Sequence, residues 1–205
     1  MTEHLVTTMA ELEAMYAQPM ETSLLKELDH IGSHYRALIE SSPFVALATV
    51  GPEGLDCSPR GDAAGFVRIV DGKTLMIPDR RGNNRIDTLR NIVRDPRVAL
   101  LFLIPGVSET MRINGRAAIS RDPELIESFK VDGKPPRCVI VVTVERAYFQ
   151  CAKAIVRSKL WDPAMHVPRG KLASTGAMVA ALTRGRVDAE TYDREAPARI
   201  KAQLY

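Results

Sequence analysis

Residues 66–95 read FVRIVDGKTLMIPDRRGNNRIDTLRNIVRD, and three structural signals follow one another along that stretch. Phe66–Val70 and Thr74–Pro78 are short apolar runs, and Asp71-Gly72 between them favours the tight turn of an antiparallel hairpin. The loop from Asp79 to Asn84 follows, and then the spacing changes. Ile86, Leu89, Ile92 and Val93 recur at helical intervals, which predicts a helix over 85–95 with Pro96 just beyond its end. A hairpin that runs straight into a helix departs from the strand–helix–strand repeat of parallel sheets and points to antiparallel pairing.

Toward the N-terminus, PFVALATV (43–50) is a compact apolar run, GPEG (51–54) supplies turn residues, and LDCSPRGDAAG (55–65) reads as an irregular strand interrupted by Pro59 and Gly61. Leu24, Leu28, Ile31, Tyr35 and Leu38 predict one buried helical face starting near Thr22 or Ser23 and stopped by Pro43. Residues 1–19 read as a short helix ended by Pro19. Toward the C-terminus, VALLFLI (98–104), TMRINGRAAIS (110–120) and CVIVVTVE (138–145) read as strands. Asp122-Pro123 opens a helix over PELIESF, and the tail alternates helical stretches with turns, including 174–185. Six or so strands in hairpin order, without an internal repeat, predict an α+β fold. The expected architecture is a closed antiparallel β-barrel with flanking helices, whose strands are apolar at nearly every position because both faces are covered.

The 205 residues, 45% apolar and 26% charged, suit one structural domain. Its expected parts are an N-terminal helical segment packing on the barrel (1–42), the barrel (43–161) and a C-terminal helical extension (162–205). Cys57, Cys138 and Cys151 lack zinc-ligand spacing, the N-terminus lacks a signal-like apolar region, and no apolar run reaches the roughly 18 residues of a membrane span. The expectation is a cytoplasmic protein with free thiols and no membrane partner. Glu27, His30 and His34 share one side of the expected helix and read as solvated flank residues, so no metal is expected. The dinucleotide, P-loop, nucleophile-elbow and zincin motifs are missing.

Net charge is only +3, but Asp79–Arg97 contains six arginines and three aspartates. Within it, Gly82 allows a tight bend, Asn84 is a candidate N-cap, and Asp87 three residues later can reach back as in a capping box. The unpaired N–H groups of a first helical turn attract anions, and Arg85, helped by Arg80 or Arg81, could grip phosphate oxygens. The alternative is a basic surface loop whose arginines are solvated or paired with Asp79 and Asp87. A nucleic-acid site is disfavoured by an aromatic content of 5%.

Taken together, PFVALATV, SPRGD, the TLMIPDRRGNNR turn, DPRVALLF, ETMRINGRA and YFQCAKA resemble the pyridoxamine 5'-phosphate oxidase-like FMN-binding split-barrel superfamily, and within it the subgroup of FMN-dependent enzymes. The resemblance covers about residues 43–161. It implies a split β-barrel and a homodimer with FMN at the subunit interface. By the same resemblance, Arg60 with Gly61 falls where a strand arginine reaches the phosphate, and Ile77 and Pro78 fall on the strand edge that meets the flavin ring. Asn84 and Arg85, with Arg80 nearby, take the phosphate-binding positions after the turn, and Thr110 falls near a polar contact to the ring. Gln150, Lys153 and Arg157 lie in the segment brought by the second subunit. The substrate motif of authentic pyridoxamine-phosphate oxidases is missing; CAKAIVRSKLWDP stands in its place, so that substrate is not implied.

The activity implied is oxidoreduction of a small organic molecule or NAD(P)H. A non-catalytic flavin-binding or sensing protein and a deazaflavin-dependent reductase stand as alternatives. Lys153 or Arg157 could place a cation beside the reduced ring, or be a surface charge. Trp161 reads as a packing or stacking residue, and Cys57 and Cys151 as packing residues. No dedicated acid–base residue emerges.

Overall fold

The computed structural model describes residues 4–205; residues 1–3, where the first helix was expected to begin, lie outside the described residues. Seven strands form one antiparallel sheet: β1 (Phe44–Gly51), β2 (Gly54–Gly61), β3 (Arg68–Ile69), β4 (Thr74–Asp79), β5 (Arg97–Leu103), β6 (Thr110–Ser120) and β7 (Cys138–Gln150). Their spatial order is β2-β1-β5-β6-β7-β4-β3. The Asp71-Gly72 hairpin forms, with Ile69 opposite Leu75, although β3 is only two residues long.

Curvature starts in the long β6–β7 hairpin, where the register shifts between Asn114 and Gly115. A bulge bends a strand and increases its twist. Gly115 is required there: a Cβ would stand 2.1 Å from the carbonyl oxygen of Thr143. The curled sheet brings β2 and the end of β4 together. Among the described residues these two strands share no ladder, and ion pairs bridge them instead: Arg60 Nη1 to Asp79 Oδ1 at 3.2 Å, and Arg80 Nε to Asp62 Oδ2 at 2.8 Å. The barrel is therefore split at this seam. Pro59 sits on the open edge of β2, where its missing N–H costs no ladder bond.

The core fills the barrel with Val45, Leu47, Leu75, Ile77, Leu100, Phe102, Met111, Ile113, Ile140 and Val142, each at most 1% exposed. Burial of one such side chain contributes roughly 1.5–3 kcal/mol. Burial alternates along β1 and β5, so coverage of both faces, expected from the apolar runs, does not hold; Leu101 on the outer face is 37% exposed.

The helices are α1 (Met9–Ala14), α2 (Glu21–Leu25), α3 (Ser33–Glu40), α4 (Asp87–Arg94), α5 (Pro123–Ser128), α6 (Lys153–Ser158), α7 (Thr175–Leu182) and α8 (Ala189–Gln203). The single helix expected from Thr22 to Pro43 is divided. Leu28 exchanges both backbone hydrogen bonds with Ala147 on β7, beyond the last residue that β4 covers, and the Ile31 N–H donates to Gly72 O at 2.7 Å. Satisfying those strand groups outweighs local helix formation. Ile31, Tyr35 and Ile39 still join the core, whereas Leu24 is exposed. Residues 4–25 are exposed throughout, and among the described residues of the segment 1–42 those that join or pack on the core lie from Leu28 onward. Glu27 and His30 precede α3, so they share no helix side with His34.

Helix α4 lies across β1, β2 and β6. Buried Asn91 donates to Thr49 Oγ1 at 3.1 Å, and a Cβ on Gly51 would meet Asn91 Oδ1 at 2.1 Å. This close fit, with Thr88 Oγ1 donating to Asp56 Oδ2, sets the start of α4 beside β2.

Candidate functional site

Strand periodicity on β2 puts Asp56, Ser58 and Arg60 on one face and Cys57 and Pro59 on the other. The inward face forms one wall of a cleft of about 320 Å³ at the seam. The end of β4, the loop through Gly82–Ile86, the first turn of α4 and Arg137 form the rest. The volume is at the lower end of the range for small-ligand sites.

Arg60 stands on that inward face with its side chain partly buried. One terminal nitrogen pairs with Asp79, while its Nε is buried without any hydrogen-bond partner. An unpaired buried donor is costly, and in a native site it calls for an acceptor. Asp79 is itself buried; desolvation pushes its carboxyl above the usual range, against the opposing pull of Arg60 and Arg137. The neighbouring Cys138 thiol is pushed up to about 11 by burial and by Asp79, which keeps it protonated and inert. Arg80 is committed elsewhere: its Nε donates to Asp62 and its Nη1 to the Phe129 carbonyl at 2.7 Å.

The turn differs from the expected capping box. Helix α4 starts at Asp87 with Ile86 as N-cap, and no side chain caps it. Asn84 and Ile86 both have positive φ, 61° and 53°. For a β-branched residue such as Ile86 this is strained, a state that persists where surrounding structure imposes it. Asp87 turns to Arg85 Nε at 2.8 Å instead of reaching back to the backbone, and Asn83 Oδ1 accepts the Arg85 N–H. Uncapped N–H groups at the start of a helix remain available to an anion. Arg85 is 77% exposed. Such a pair contributes about 0–1 kcal/mol, so it yields easily to a better acceptor.

The structure thus brings Arg60, Arg80, Asn84 and Arg85 into one cleft, with Gly61 and Pro78 on an adjoining cavity. The Ile77 side chain points into the core at 0% exposure. Thr110, Gln150, Lys153 and Arg157 form a separate group: Thr110 pairs with Gln150, and α6 follows directly. Gln150 is the far end of β7 from Cys138, the partner of Asp79, roughly 40 Å along the strand path. Trp161 donates from Nε1 to Val107 O at 2.7 Å and lines neither cavity, and both Cys57 and Cys151 are exposed rather than packed. Arg137 and Asp79 escaped the sequence reading as site residues. The alternation of β2 could have indicated Asp56 and Ser58, but no local signal points to Arg137, which reaches the cleft only through the Asp79–Cys138 pairing.

No helix among the described residues is long and apolar enough to cross a membrane. Among solved structures, the chain is similar to the HupZ protein of Group A Streptococcus, at 23% identity and TM-score 0.47 over 58% of this chain and 93% of that one. It is similar to a Clostridium acetobutylicum protein related to general stress protein 26, at 18% identity and TM-score 0.45 over 57% and 85%. It is also similar to an FMN-binding protein of Syntrophomonas wolfei, at 13% identity and TM-score 0.43 over 57% and 88%. No curated protein matches. The family description "pyridoxamine 5'-phosphate oxidase" matches residues 31–151, from the strand-pairing segment before α3 through the end of β7, and the chain belongs to that family.

Proposed function

We propose that this protein binds FMN at the interface of a homodimer and acts as an FMN-dependent oxidoreductase on a small organic substrate or NAD(P)H. The observation that carries the reading is the buried Nε of Arg60, without an acceptor, in a cleft lined by arginines. A phosphate monoester supplies the acceptor oxygens that this donor lacks, and guanidinium groups match its geometry. Arg60, Asn84 and Arg85, with the uncapped turn of α4, would hold the phosphate, and the edge at Ile77 and Pro78 would border the ring. Thr110, Gln150, Lys153 and Arg157, remote from the cleft of their own chain, would serve the site of the partner subunit. Bound FMN supplies hydride-transfer chemistry, and the protein orients it and tunes its charge. Lys153 or Arg157 would provide a cation for the reduced ring.

The test is the visible spectrum of the protein as purified, with mass spectrometry of whatever denaturation releases. The expected result is a flavin spectrum and release of FMN. A colourless protein that takes up no added FMN overturns the proposal. Turnover with NAD(P)H and an acceptor separates an enzyme from a binding protein; reduction of the flavin without turnover would leave only the binding function.

A further inference from the structure

A second cavity, of about 560 Å³, shares the wall from Pro59 and Arg60 to Arg80 and Gly82 with the cofactor cleft. Its outer wall is the last stretch of the chain, from Ile200 on α8 to Leu204 and Tyr205. Tyr205 reaches 143 positions back along the sequence to donate from its hydroxyl to Asp62 Oδ1 at 2.7 Å. The other Asp62 oxygen accepts from Arg80, whose guanidinium lies 5.4 Å from the centre of the Tyr205 ring. The Asp62 side chain is 4% exposed, so this contact is enclosed. Among the described residues no other hydrogen bond joins the chain from α7 onward to the barrel strands or the residues that flank them. The tail is therefore fastened at the cavity itself.

The lining has two characters. Phe66, Pro78, Ile200, Leu204 and the Tyr205 ring supply apolar surface. Among the charged side chains Arg80 is neutralised by Asp62 and Arg60 is paired with Asp79, while exposed Arg81 has no ion-pair partner among the described residues. A flat apolar body with one negative charge matches both characters, and a cation of the same shape does not.

We propose that this cavity is the substrate site beside the FMN cleft, that it takes a small organic anion with a planar apolar body, and that Tyr205 determines its specificity. The assignment rests on the FMN reading for the word substrate, but the cavity and its charge stand without it. The Asp62–Tyr205 hydrogen bond holds the ring as a wall, and Arg81 meets the anionic group.

Benzoate serves as probe and cyclohexylammonium as its cationic counterpart, titrated into the purified full chain while backbone amide resonances are followed by NMR. Benzoate is expected to shift Arg81, Gly82, Leu204 and Tyr205 saturably, and cyclohexylammonium to leave them in place. Tyr205→Ala is expected to weaken benzoate at least tenfold. Tyr205→Phe, which keeps the ring and loses the hydroxyl, is expected to weaken it only a fewfold. Equal binding of the two probes, shifts confined to Thr88 and Leu89 in the cofactor cleft, or a Tyr205→Ala protein that binds benzoate like the parent would each overturn the proposal. The flavin spectrum of each sample, before and after added FMN, reports separately on the FMN reading: a protein that takes up no FMN but binds benzoate as expected would fail that reading and retain the anion site.

Discussion

Arginines at the seam differ in what they are free to do. Arg80 is spent on Asp62 and the Phe129 carbonyl, and Arg60 on Asp79 through one of its nitrogens. Arg85 holds only an exposed pair with Asp87. Replacing Arg60 by alanine would leave Asp79 buried without its nearest counter-ion, a change that costs about 3–5 kcal/mol of stability and confuses any binding measurement. Arg85→Ala is the clean probe. It is expected to weaken FMN binding by about 1.5–3 kcal/mol, the range for a hydrogen bond to a charged group, with an unchanged melting temperature. Flavin fluorescence titration measures it, and an unaltered affinity would remove Arg85 from the phosphate site.

Asp62 yields a pH prediction. Burial alone would push its carboxyl up, but the Tyr205 hydroxyl, the Ala63 N–H and Arg80 together hold it below the usual value of 3.8. A carboxylate with a lowered folded-state pKa contributes stability that is present above 3.8 and lost as pH falls toward the lowered value. Asp62→Asn is therefore expected to be less stable than the parent at pH 7, with the gap narrowing as pH falls below 3.8. Urea midpoints at pH 7 and pH 3 measure it, and a gap that widens in acid contradicts the assignment. Asp79 has the opposite sign: its raised pKa makes its charged form a liability that grows as pH rises above 3.8.

At the scale of elements, the bend in the β6–β7 hairpin decides whether the sheet can curl far enough to bring β2 to β4. Gly115 sits where a Cβ would run into the Thr143 carbonyl, part of a paired strand that cannot step aside. Gly115→Ala is expected to cost about 3 kcal/mol, the upper end for overpacking. Gly133→Ala, at φ 76° with open space around it, is expected to cost about 1 kcal/mol, the penalty of the left-handed conformation alone. Chemical denaturation of the two variants compares them directly, and equal losses would show that the close approach at Gly115 relaxes freely. The helices divide by what they touch. Helix α4 is bound to β1 by a buried side-chain hydrogen bond, α3 enters the core, and α1 with α2 remains on exposed chain. Sequence periodicity identified all of these as helical stretches but joined α2 to α3, because the residues between them keep a helical spacing of apolar side chains while their backbone pairs with β7.

Over the whole molecule, the candidate site residues fall into two groups separated by most of the length of β7, and one flavin site would need both. A dimer in which each subunit lends its Thr110–Gln150 end to the other resolves that separation. Light scattering is expected to give twice the 22.6 kDa of one chain. A monomer that still holds flavin tightly would contradict a shared site. Sequence by itself was sufficient for the antiparallel hairpins, the α+β class, the helix after the arginine turn and the concentration of arginines at that turn, because each rests on local periodicity, on turn residues or on charge close along the chain. Tertiary structure alone decided the split between β2 and β4, the recruitment of Arg137 and Asp79, the loss of the Asn84 cap to strained Ile86, and the seating of Tyr205 on Asp62. Those depend on how a bulged sheet closes and on which buried charges then find each other, contacts between residues distant in sequence that leave no repeating mark along it.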